Sequence, residues 1–166
     1  TGTSPANMMK YREHRDYRNE YGRKLELVME YEGLKVIVHY QFYNGISVVR
    51  AWTEACNNSS RSFGLEYISS FALTGIAKEG IGQWDENGIL FLPHNTWRGE
   101  LQWKRYALDQ LGLRKVYRFS TKRISVAQTG TWSTVEYLPM GYFENTKCGS
   151  CLFWQIENNG SWHWEI

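Results

Sequence analysis

Residues 23–56 read RKLELVMEYEGLKVIVHYQFYNGISVVRAWTEAC. Leu25, Leu27, Met29 and Tyr31 alternate with Lys24, Glu26, Val28 and Glu30. Glu32-Gly33 breaks the run, and Val36, Val38, Tyr40 and Phe42 resume it. A period of two is the side-chain period of a β-strand, whose successive Cβ atoms point to opposite faces. Asn44-Gly45 follows, and both residues tolerate the positive φ that tight hairpin turns require. In the third run, 46–56, Val48, Arg50, Trp52 and Glu54 share one face. The three runs predict an antiparallel meander.

The pattern extends to either side. Residues 1–22 are polar, with the charged run YREHRDYRNE at 11–20, and read as an N-terminal arm or an edge strand. Asn57-Asn58-Ser59-Ser60 is a turn, and 62–76 is an extended stretch rich in Phe, Tyr, Ile and Leu. Asn87-Gly88 predicts a second hairpin, between 81–86 and 89–93. Further strands are expected at 115–119, 124–128, 131–138, 151–157 and 161–166, with Asn159-Gly160 closing a third hairpin between the last two. Residues 99–113 fit helix and strand about equally, because Leu101, Leu108 and Leu111 precede Gly112, which is placed like a helix C-cap. The class is all-β and antiparallel, with roughly ten to twelve strands in a large sandwich. A single domain is expected over 23–166.

Composition narrows the function. Aromatic residues make up 16% of the 166 residues, with eight Trp, and a disordered chain or a coiled coil is excluded. Nineteen basic residues against 17 acidic ones leave a net charge of +2, too balanced for a dedicated nucleic-acid binder. No apolar run approaches the roughly 20 residues that span a bilayer. The first ten residues hold no signal-peptide core, and three cysteines do not make a secreted disulfide framework. A cytoplasmic location is the expectation, with neither nucleic acid nor membrane as partner.

Few motifs carry chemistry. Cys148-Gly149-Ser150-Cys151 has the spacing of a redox pair or half a zinc site. The only other cysteine is Cys56, and the all-β surroundings do not suit a thioredoxin-like motif. No phosphate-binding loop, dinucleotide fingerprint, zinc-protease helix or nucleophile elbow occurs, and the four histidines are scattered. No metal, cofactor or catalytic residue is assigned. Two clusters, PHNTWRGELQW at 93–103 and FWQIENNGSWHWE at 153–165, set Trp beside Asn, Glu, His and Arg. That mixture suits sugar contact, in which a ring covers C–H groups and planar polar groups bond hydroxyls. It suits a core or an interface better, where aromatics bury the most area.

Four stretches carry a resemblance: YQFYNGISVVRAWTEACNNSSRSFGLEYISSFAL at 40–73, HNTWRGELQWKRYALDQLGL at 94–113, TGTWSTVEYLPMGYFEN at 129–145 and LFWQIENNGSWHWEI at 152–166. In this order they resemble the N-terminal domain of glycoside hydrolase family 36 α-galactosidases. The resemblance implies a β-supersandwich, with 99–113 extended, cut from a longer protein. It implies a parent enzyme that hydrolyses terminal α-galactosides with retention, through two Asp residues on a (β/α)8 barrel that follows this domain. The chain itself is then non-catalytic. Its implied partners are that barrel, further copies in a homo-oligomer, and an α-galactoside. Trp97, Arg98, Glu100, Trp162, His163 and Trp164 are the expected barrel- or sugar-facing residues. The alternatives are a free-standing carbohydrate-binding sandwich and a purely structural oligomerisation domain.

Overall fold

The computed structural model describes residues 7–76, 83–114, 122–130, 132, 135–158 and 160–166, with the backbone alone of Trp84. The fold is all-β and antiparallel, with ten strands among the described residues. The chain divides into two compact units, Thr1–Leu73 and Thr74–Ile166.

The first unit is one sheet in the order β1-β2-β3-β4: Lys10–Arg18, Gly22–Tyr31, Leu34–Tyr43 and Val49–Asn57. The charged N-terminal run forms the edge strand β1, and all nine of its residues are exposed. Charges along a free edge disfavour pairing with another chain. The expected meander is present as β2-β3-β4. Glu32-Gly33 turns the chain between β2 and β3 with positive φ at both residues, 46° and 85°. That is the left-handed pair a two-residue hairpin turn needs. Asn44-Gly45 starts a longer loop, so β4 begins at Val49. Register separates two faces. The rows Leu25–Tyr40–Ala51 and Leu27–Val38–Thr53 lie on one, and Lys24–Gln41–Arg50 and Glu26–His39–Trp52 on the other.

Residues 62–76, expected as extended structure, carry no strand. Their alternation of Phe63, Leu65 and Tyr67 fails at Ile68 and Ser69-Ser70, so no single face stays apolar. The Thr53 hydroxyl donates to the Ser69 carbonyl at 2.8 Å.

The second unit has a four-stranded sheet in the order β6-β5-β8-β9. Its strands are β5 Gly88–Thr96, β6 Gly99–Ala107, β8 Met140–Asn145 and β9 Cys151–Gln155. A two-stranded sheet joins β7, Ser125–Gln128, to β10, Trp162–Glu165. Leu90, Leu92 and Phe143 from the larger sheet pack with Val126, Trp162 and Trp164 from the smaller one. This is sheet-on-sheet packing around one core.

Two turn expectations are corrected. Asn87-Gly88 is not a hairpin turn. Trp84–Asn87 is a single helical turn, α1, and Gly88 opens β5 opposite Asn145. The φ of Gly88 is −96°, so the positive-φ freedom of glycine is not used there. What requires glycine is space, since a Cβ would lie 2.5 Å from Leu108 Cδ1 and 2.6 Å from Phe143 Cζ. Of the strand expected at 81–86, residues 81 and 82 lie outside the described residues. The second correction concerns 151–157 and 161–166, which are not a hairpin. β9 pairs with β8 and β10 with β7, so they belong to different sheets. Asn159 lies outside the described residues.

Residues 99–107 are strand, and Leu108 and Leu113 then turn into the core. The helical leucine spacing is therefore not used: Leu101 is exposed and Leu108 buried. The strand expected at 115–119 lies outside the described residues. Of the one at 131–138, the described part contributes only a bridge from Tyr137 to His94.

Candidate functional site

The six candidates from sequence fall on two sheets. Trp97, Arg98 and Glu100 occupy the tip of the β5–β6 hairpin, where Trp97 is 81% exposed. Arg98 turns the chain with φ 61°, and its N–H donates to Glu100 Oε1 at 3.2 Å. Trp162 and Trp164 point into the core, and Trp164 meets Trp154 edge-on at 5.0 Å. Their ring faces are occupied by packing. His163 lies on the opposite face of β10, with Nε2 3.4 Å from Ser125 Oγ and 3.8 Å from Glu165 Oε2.

Two surfaces escaped the sequence reading. One is an aromatic stripe across the second unit. Phe91, Tyr142 and Phe153 stand in one row on β5, β8 and β9. Trp103 on β6 completes the lining of a depression of about 250 Å³. Phe91 and Tyr142 meet edge-on at 5.2 Å, whereas Trp103 and Phe153 are 41% and 53% exposed. The signal for this stripe was the outward parity of each residue, which is readable only once strand pairing is known.

The other is the polar face of the first unit, where Glu26, His39 and Gln41 are buried. Glu26 Oε1 is 2.9 Å from Lys24 Nζ and accepts from the Tyr17 hydroxyl at 3.1 Å. The Lys24 bond holds the carboxyl below its ordinary range against the desolvation that opposes it. The same bond raises Lys24. His39 Nδ1 lies 3.2 Å from Glu26 Oε1 and Nε2 3.3 Å from Glu54 Oε1. The ring nitrogens aim past both oxygens, so these are close contacts without hydrogen-bond alignment. The His39 ring lies flat against Trp52, with centroids 4.6 Å apart and planes 7° apart. Beside it a concavity of about 470 Å³ opens between Trp52 and the β1–β2 turn.

His94 illustrates a titratable group held for structure. Its Nε2 is 2.9 Å from the Tyr106 hydroxyl, and Tyr137 packs on its ring at 4.8 Å. Burial, then the charge of Lys104, lower its pKa from the ordinary 6.5, with Glu136 opposing them. The folded state thus binds the proton less well than the unfolded one. Stability is complete above the unfolded value and declines as pH falls below about 6.5. We expect urea midpoints measured from pH 8 to pH 5 to fall in that window, and the His94→Gln variant to flatten the fall.

Cys56, Cys148 and Cys151 are exposed and none is in a disulfide. Among the described residues no group of three His, Cys, Asp or Glu converges to hold a metal, and no helix is long and apolar enough to cross a membrane. No family model matches the chain, and no curated protein or solved structure is similar to it.

Proposed function

We propose that the chain is the non-catalytic all-β part of an α-galactosidase-like retaining glycoside hydrolase, packing against a catalytic (β/α)8 barrel and supporting it. The observation that carries this reading is the aromatic stripe of Trp103, Phe91, Tyr142 and Phe153. Such a row is large, apolar and laid across four strands of a sheet whose other face is already buried in the core. Aromatic surface of that kind serves the centre of an interface better than it serves chemistry. The barrel as occupant comes from the sequence resemblance at 94–113, 129–145 and 152–166, which includes β6, β8 and all of β9 but Cys151. The hairpin tip with Trp97 and Arg98 belongs to the same sheet and extends the surface.

The test supplies a family barrel polypeptide in trans. The purified chain alone is expected to leave p-nitrophenyl α-galactoside intact. It is expected to bind the barrel, and Trp103→Ala with Phe153→Ala is expected to weaken that binding by tenfold or more, about 1.4 kcal/mol or above. Turnover by the chain alone would overturn the reading. So would a chain that dimerises through the stripe and ignores the barrel, which would make it an oligomerisation domain.

A further inference from the structure

We infer that Arg105 and Glu144 key the aromatic face of the second unit to one partner surface in one orientation: an apolar ridge that brings a carboxylate to Arg105 and a cation to Glu144. This rests on the supporting role proposed above and adds the chemistry that the partner must carry.

Register places both charges on that face. Arg105 stands opposite Phe91, and Tyr142 and Phe153 continue the same row across β8 and β9. The row therefore runs from a guanidinium on the edge strand β6 to an uncharged ring on the edge strand β9. Trp103 precedes Arg105 by two residues and shares its side of β6. Glu144 belongs to the next row, opposite Ile89 and Cys151. Lys104 lies on the other face of β6, where its charge acts on His94. Among the paired residues of the four strands, no third charge shares the face.

Both charges are available. Arg105 is exposed and Glu144 half-buried. Among the described residues neither makes a hydrogen bond or an ion pair, and no ring lies beneath the Arg105 guanidinium. The Tyr142 hydroxyl, by contrast, is engaged with the Cys151 thiol, so Tyr142 offers a partner its ring. The polarity of the face comes from Arg105 and Glu144.

A partner that covers the stripe takes water from these two groups. A charge so covered is costly unless an opposite charge meets it. A purely apolar partner is thereby disfavoured, and so is one that sets like charges against them. Arg105 is well suited to a carboxylate, since the planar guanidinium binds one through two parallel N–H bonds and packs flat beside rings. Orientation follows from the asymmetry of the row. A ridge turned end for end would bring its carboxylate to Phe153 and leave both Arg105 and Glu144 unmatched. The rings supply the buried area, and the charges decide which way the ridge lies.

Binding kinetics of the whole chain on the immobilised barrel polypeptide test this. Arg105→Glu and Glu144→Lys are each expected to weaken binding tenfold or more, with folding verified by circular dichroism. Arg105→Glu should leave the melting temperature unchanged, because Arg105 makes no bond within the chain. Arg105→Lys is expected to fall between wild type and Arg105→Gln, since it keeps the charge and loses the paired N–H geometry. The wild-type association rate should drop severalfold between about 20 and 200 mM salt, and Arg105→Gln should flatten that dependence. If Trp103→Ala with Phe153→Ala loses the barrel while every charge variant binds as wild type, the keying is overturned and the supporting role stands. If the wild-type chain ignores the barrel at every salt concentration, the supporting role is overturned and the keying with it.

Discussion

Phe143→Ala is expected to destabilise the second unit by about 3–5 kcal/mol, the range for emptying a large aromatic site in a core. Phe143 is 1% exposed at the centre of β8 and stands opposite Leu90 on one side and Leu152 on the other. The site cannot readily close. Its ring lies over Gly88, where backbone approaches so closely that a Cβ would meet the ring at 2.6 Å. Backbone held in a ladder does not follow a shrinking side chain, so the void persists and its lining loses dispersion contacts. Against a total stability of about 5–15 kcal/mol, such a loss leaves the unit marginal. Equilibrium urea unfolding, followed by the emission of Trp154 and Trp164 packed edge-on beside this site, measures it. The matched control is Phe153→Ala, on the outward stripe and 53% exposed, which should cost below about 1 kcal/mol. Equal losses from the two variants would contradict the assignment of inner and outer faces.

The same contrast separates what was legible in the sequence from what was not. Period-two alternation over 23–56 located the meander and its two faces, because register within a hairpin is a local property. The charged run at 11–20 reads as an arm or an edge strand without deciding between them, since an edge strand exposed along its whole length has no buried face to mark it. Asn-Gly pairs were a weaker guide. At Gly88 the glycine answers to Phe143 and Leu108 crowding its backbone, and the hairpin turns of the second unit lie at 97–98 and 146–150. The glycine signal is the same for a turn and for a close approach, and only the folded neighbours distinguish them.

The candidate residues divided for a related reason. Trp162 and Trp164 were grouped with polar neighbours by sequence adjacency, yet a strand sends alternate residues to opposite faces. His163 therefore parts from both tryptophans, which enter the core. Trp97 escapes this fate because it sits at a hairpin tip, outside the alternation. The sequence places Trp52 on a strand face with Val48, Arg50 and Glu54 and goes no further. Its surroundings come from three strands and a turn, and Lys24, Gln41 and Arg50 become neighbours only through pairing across the sheet. The aromatic stripe is non-local in the same sense, for Phe91, Tyr142 and Phe153 are far apart in the chain and adjacent in the ladder.

Replacing the Glu26 carboxylate tests whether the polar face is a structured network or a solvated surface. Glu26→Gln is expected to cost the first unit about 1.5–3 kcal/mol, the range for hydrogen bonds to a charged group. Glu26 is 7% exposed, and the variant would leave Lys24, 17% exposed at its side chain, without the anion it pairs with, and the Tyr17 hydroxyl without a charged acceptor. The cost stays below that of a deeply buried pair because Glu26 lies on the face of a single sheet, where water is one side chain away. Its lowered pKa fixes the sign of the acid dependence. A carboxylate with a folded pKa below its ordinary 4.5 adds stability that is complete above that value and is lost as pH falls through the folded pKa. Wild-type protein should therefore lose hydrogen-exchange protection at the β2–β3 amides on acidification below about pH 4.5, and Glu26→Gln should show less of that loss. Glu30→Gln supplies the control, since Glu30 pairs with Arg12 at 3.2 Å with both side chains well exposed. Exposed pairs of this kind contribute about 0–1 kcal/mol. If Glu26→Gln proved as mild as Glu30→Gln, with the acid limb unchanged, the carboxylate would be hydrated rather than engaged. His39 and Trp52 would then be held by stacking alone, and the wall of the adjoining concavity would owe its rigidity to packing instead of charge.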